Sequence, residues 1–101
     1  MNAMELIISK NFIAVNKDLI KSLGLEEAVM MGELVDEFLY GEQQNTIDEE
    51  GYFLSTVDNV EQNTGLKESR QRTVIKHLVE AGIITVKLKG LPAKRHIKIN
   101  I

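Results

Sequence analysis

The chain contains no cysteine. That excludes disulfides, thiolate zinc sites and thiol nucleophiles, and it fits a reducing, cytoplasmic setting. There is one proline, Pro92, so rigid turns are few. No apolar run approaches the roughly 20 residues of a membrane-spanning helix, and no basic segment precedes a long apolar stretch at the N-terminus, as a secretory signal requires. There is no glycine-rich phosphate loop and no nucleophile–base motif. The two histidines, His77 and His96, stand alone, far from the paired spacing of a metal site. The acidic run Asp48-Glu49-Glu50 lacks the alternating ligands of a calcium loop and reads as a solvated loop. The expectation is therefore a protein without catalysis, cofactor, metal, membrane contact or small-molecule substrate.

What is present is a composition of 44% hydrophobic and 27% charged residues over 101 positions. That balance supports one hydrophobic core and a single domain over 1–101. The formal net charge is −3, which argues against a polyanionic partner until its distribution is considered. Residues 1–64 carry three lysines against thirteen acids, whereas residues 65–101 carry nine cations against only Glu68 and Glu80. Phosphate recognition depends on the local field at the contact face rather than on the whole-chain sum.

The stretch Thr64 to Gly82 reads as one amphipathic helix after a turn. Gly65 supplies the turn and Leu66 the first apolar anchor. Val74, Ile75, Leu78 and Ala81 then recur at helical spacing, and Gly82 stands where a C-terminal cap with positive φ belongs. The other face carries Lys67, Ser69, Arg70, Arg72, Thr73, Lys76 and His77. A short helix over Val57–Asn63, capped by Ser55 or Thr56, precedes it. Beyond Gly82 the period changes to two: Ile84, Val86 and Leu88 alternate with Thr85, Lys87 and Lys89. After the turn Gly90-Leu91-Pro92-Ala93, Ile97, Ile99 and Ile101 alternate with His96, Lys98 and Asn100. Support helix, glycine turn, second helix and hairpin in this order predict an α+β fold, a single winged helix-turn-helix domain with a C-terminal β-hairpin wing.

Upstream, Leu6 to Ile8 suggest a short edge strand or a frayed start, and Phe12, Ala14 and Val15 a brief extended piece. Asn16 caps a helix over Lys17–Leu23, which Gly24 ends. A longer helix runs from Leu25 to about Tyr40 or slightly beyond. Its apolar stripe is wider than one core-facing side needs, which leaves open a doubly buried central helix or a homodimer contact. Gly32 inside it points to close packing. Residues 41–51 form a polar loop, and Tyr52-Phe53-Leu54 a short strand.

From Gly51 to Asn100 the chain resembles the winged helix-turn-helix of phage and plasmid replication-initiation and replisome-organiser proteins of Gram-positive bacteria. The likeness rests on the Gly51-Tyr52-Phe53 strand start, Thr64-Gly65-Leu66, Gln71-Arg72, the passage from Leu78 to Ile84, and Lys89-Gly90-Leu91-Pro92-Ala93-Lys94-Arg95. It implies sequence-selective binding of double-stranded DNA through the helix from Lys67 to Ala81, with phosphate contacts from the wing. Ser69, Arg70 and Thr73 are then the candidates for base edges. Lys67, Arg72, Lys76, Lys94 and Arg95 are the candidates for phosphates. The chain departs from the pattern in two places: Lys67 replaces the usual Ser or Thr cap, and Gln71 takes a position that is often apolar. Initiators of this type carry a further domain, which leaves open an isolated domain or a small stand-alone regulator. The rival expectation is a protein-interaction module that keeps the fold without DNA binding.

Overall fold

A computed structural model of the chain describes residues 2–9 and 11–100. Five helices and a three-stranded sheet follow one another along it: α1 (Ala3–Ile8), α2 (Lys17–Leu23), α3 (Leu25–Gln44), β1 (Phe53–Leu54), α4 (Val57–Thr64), α5 (Glu68–Glu80), β2 (Ile84–Lys89) and β3 (Lys94–Ile99). The sheet order is β1-β3-β2, antiparallel throughout. This is the winged helix-turn-helix architecture, with β2 and β3 as the wing.

Leu6 to Ile8, expected as a short edge strand or a frayed start, are helical and belong to α1 (Ala3–Ile8). The Asn2 side-chain oxygen accepts from the Glu5 N–H at 2.9 Å, which satisfies one orphan donor of the first turn. None of the α1 residues is buried. Asn16 caps α2 as its position suggested, accepting from the N–H groups of Asp18 and Leu19 at 2.8 and 3.1 Å. Gly24, at φ +125°, turns directly into α3.

α3 continues to Gln44, past the expected end near Tyr40, and stops at Asn45 in the left-handed conformation. A methyl group at Gly32 would collide with the Ala14 carbonyl, so the close packing expected there is with the extended segment before α2. Ala28, Met30 and Leu34 are fully buried, whereas Val35, Leu39 and Tyr40 remain exposed. The wide stripe is thus divided: one side enters the core and the other meets solvent.

The core gathers Met30, Leu34, Phe53, Val60, Leu66, Val74, Leu78, Ile84 and Ile97. Phe38 stacks edge-on against Phe53 at 5.9 Å between centroids. In the hairpin, Ile84 faces Ile99 and Lys89 faces Lys94. Ile84 and Ile97 are buried, but Leu88, expected on the inner face, is 73% exposed. It sits at the end of β2, where the wing extends past the core. Ile101, expected to complete the alternation, lies outside the described residues.

Candidate nucleic-acid interface

The turn between α4 and α5 is held by named polar groups. Thr56 caps α4 by accepting from the Asn59 N–H at 3.2 Å. At its other end Thr64 Oγ1 donates to Val60 O at 2.6 Å and accepts from the Leu66 N–H at 3.1 Å. Gly65, at φ +78°, makes the bend. Gln71, fully buried, donates from Nε2 to Leu66 O at 2.7 Å and to Val57 O at 3.0 Å. A buried amide here ties the second helix to the turn and to the start of the first. The structure accordingly assigns Gln71 to the interior. Lys67 precedes α5 in extended conformation and makes no side-chain cap.

With Gln71, Val74 and Leu78 buried, helical geometry places Ser69, Thr73 and Lys76 opposite the core. All three are exposed, as are Lys67, Arg70 and Arg72. Six of the eight candidate contact residues therefore lie on the outside of one rod. Thr73 Oγ1 donates back to Ser69 O at 3.3 Å.

The two wing candidates separate. Lys94 is exposed at the start of β3. Arg95 shares the strand face of Ile97 and Ile99, and its Nε donates to Ser55 O at 2.8 Å. Burial lowers the pKa of its guanidinium. Arg95 thus braces the entry to α4, whereas the sequence made it a candidate for phosphate contact.

The separation of charge along the sequence does not persist in space. Acids of the N-terminal part fold onto cations of the C-terminal part. Arg70 pairs with Glu26, and His77 Nδ1 lies 2.7 Å from Glu27 Oε2. Lys87 pairs with Glu50 at 3.1 Å, and Lys89 pairs with Asp48. Both lysines also lie over the Tyr52 ring, at 4.7 and 4.9 Å. Asp48 accepts from the N–H groups of Glu50 and Tyr52, which orders the turn while Glu49 and Glu50 stay exposed to solvent. The Lys89 ammonium and these N–H bonds hold the Asp48 carboxyl down at about 2. Glu50 beside it raises the Lys87 ammonium. The expectation of cations without compensating acids is corrected by these pairs. Among the described residues, Lys67, Lys76, Lys94 and Lys98 have no carboxylate partner. Arg72 has only Glu68, one turn away on its own helix at 3.6 Å. The sequence signals for these pairs were weak: Glu26 and Glu27 fit equally well as favourable charges at the start of α3.

A second feature lies along the other side of α3. A groove of about 770 Å³ is lined by Glu33, Asp36, Glu37, Tyr40, Asn59 and Asn63, among others. Glu33, buried, accepts from Asn63 Nδ2 at 3.0 Å, and Glu37 from Asn59 Nδ2 at 2.9 Å. Burial and the neighbouring Glu33 push the Glu37 carboxyl up to about 8. Among the described residues the groove's lining holds no cation, which makes this side a poor face for phosphate.

Among the described residues, no helix is long and apolar enough to cross a membrane. The chain matches no protein-family model and no curated protein. Its fold does match solved structures. One is described as the N-terminal domain of a DNA-binding protein and another as a Rep–DNA complex. In each case the alignment covers 100% of this chain and 82% of the other, with a TM-score of 0.72 and 18% sequence identity. At that identity the likeness is one of fold.

Proposed function

We propose that the protein binds double-stranded DNA, with α5 in the major groove and the wing against the backbone. The observation that carries this reading is the exposed face of α5, where hydroxyls and cations stand opposite the buried Gln71, Val74 and Leu78. Ser69, Arg70 and Thr73 serve as base-contacting residues. Lys67, Arg72, Lys76 and Lys94 serve as phosphate contacts. Arg95 acts indirectly, by holding the start of α4. The fold shared with a DNA-binding domain and with a Rep–DNA complex supports the reading.

The role that fits best is phage- or plasmid-linked replication initiation or transcriptional control, without catalysis, in the cytoplasm. The resemblance of Gly51–Asn100 to replication initiators supports it. Selection of duplexes from a random pool tests the proposal: enrichment of a shared sequence is expected, and recovery of none contradicts it.

Self-association is a second, compatible proposal, with the exposed Val35, Leu39 and Tyr40 of α3 meeting a second copy. Exposed apolar side chains grouped on one helix favour it. Light scattering after size exclusion tests it, with a dimer mass expected and a monomer mass at all concentrations against it. A protein-interaction module that never touches DNA is less well supported, because it leaves the polar face of α5 without a role.

A further inference from the structure

Arg70 stands in the first turn of α5 and is gripped along one edge. Its Nε donates to Glu26 Oε2 at 3.2 Å, and Nη2 donates to Glu26 Oε1. A guanidinium is a rigid plane with five N–H donors. A carboxylate that takes Nε and one Nη2 hydrogen leaves a second parallel pair, from Nη1 and Nη2, pointing away. That pair has the geometry that meets O6 and N7 of guanine. The Arg70 side chain is 59% exposed, and no other hydrogen-bond partner engages it among the described residues.

The first turn of α3, which carries Glu26, is anchored on α5. The neighbouring Glu27 is buried and bonds His77, seven residues along α5 from Arg70. The start of α3 therefore grips one side of α5 at two points, one buried and one open to solvent. An exposed ion pair contributes little to stability, so the Glu26–Arg70 contact has little to do for the fold. It does restrict the rotamers of a long side chain, and ordering such a side chain beforehand removes that entropy loss from binding.

We propose that Glu26 is a positioning residue for base recognition, fixing the Arg70 guanidinium so that its free edge meets a guanine. The inference rests on the duplex-binding reading above and adds a specificity determinant outside the helix-turn-helix. An opposing charge near DNA would otherwise only weaken binding, so the two roles of Glu26 separate in an experiment.

The test starts from the duplex that the unmutated protein enriches from a random pool. Each base pair of that duplex is changed in turn, and affinity ratios are measured for the unmutated protein, Arg70→Ala, Glu26→Gln, Glu26→Asp and the Glu26→Gln/Arg70→Ala double variant. Arg70→Ala should lose discrimination at one guanine by about tenfold. Glu26→Gln should lose part of the discrimination at that same position, Glu26→Asp should retain it, and the double variant should match Arg70→Ala alone. Three results overturn the proposal: unchanged discrimination in Glu26→Gln with affinity for every duplex raised alike; a shifted melting temperature with unchanged discrimination; or a loss at a different base pair that adds to that of Arg70→Ala. Failure of the unmutated protein to bind any duplex would remove the functional reading itself, before any variant is made, and this inference with it.

Discussion

Gln71 Nε2 donates to the main-chain oxygen of Leu66 at 2.7 Å, across the turn that joins the two helices of the helix-turn-helix. The same nitrogen reaches Val57 O at 3.0 Å. One amide thus satisfies two carbonyls at a fully buried position. Gln71→Ala removes both bonds and leaves a cavity. A loss of about 2–4 kcal/mol is expected, read as a lower urea midpoint with an unchanged slope. An unchanged midpoint would show that the amide does not hold the turn.

Gly32 packs against the backbone of residue 14, where a Cβ has no room. Gly32→Ala should push residues 13–15 away from α3 while the rest of the core stays intact. The expected outcome is faster proteolysis around residues 11–17 and a loss of roughly 1–3 kcal/mol, typical of overpacking. Equal protease resistance would contradict the close approach.

Glu37 carries a pH dependence whose sign follows from its surroundings. Burial and the neighbouring Glu33 raise its carboxyl from 4.5 to about 8. The folded state therefore favours the protonated form, and ionisation opposes folding. Relative to Glu37→Gln, the unmutated protein should be about as stable below pH 4.5 and should lose stability progressively as pH rises from 4.5 through about 8. Urea unfolding of both proteins across this range checks it. A constant difference would mean that the carboxyl titrates normally.

Lys94 and Arg95 are adjacent in sequence but differ in setting: Lys94 is exposed, whereas Arg95 bonds Ser55 O. Lys94→Ala should weaken binding to all duplexes alike and reduce the salt slope by about one unit. Arg95→Ala should instead lower stability, because Ser55 O loses its donor. Melting curves and salt titrations of the two variants, run side by side, distinguish them. Identical behaviour in both assays would contradict the division.

How much of this was legible in the sequence depends on the range of the interaction involved. α5 was readable because Val74 and Leu78 repeat at the spacing of a helix that buries one face. The α2 start was readable because Asn16 bonds only two and three residues ahead. Leu6, Ile7 and Ile8 misled: they are apolar and branched like a strand, whereas a local cap at Asn2 makes them helical. Arg95 was read as a phosphate contact from its place beside Lys94, although standing two residues before Ile97 already puts it on the inner face of β3; its bond to Ser55 O, 40 positions away, was not legible. The pairing of Glu26 with Arg70 joins residues 44 positions apart. Counting charges along the chain cannot see such a contact, and the apparent excess of cations was in part an effect of sequence order.

The central claim is that the outward face of α5 contacts duplex DNA. Fluorescence anisotropy of a labelled pool-selected duplex, titrated with the protein at rising salt, tests it most directly when run beside a Lys67→Ala/Lys76→Ala variant. The account predicts binding at low salt and a linear fall of log K with log salt. It also predicts a slope shallower by about two units in the variant, roughly 0.9 per lost phosphate contact. Equal slopes and affinities for the two proteins, or no binding by either at low salt, would contradict it.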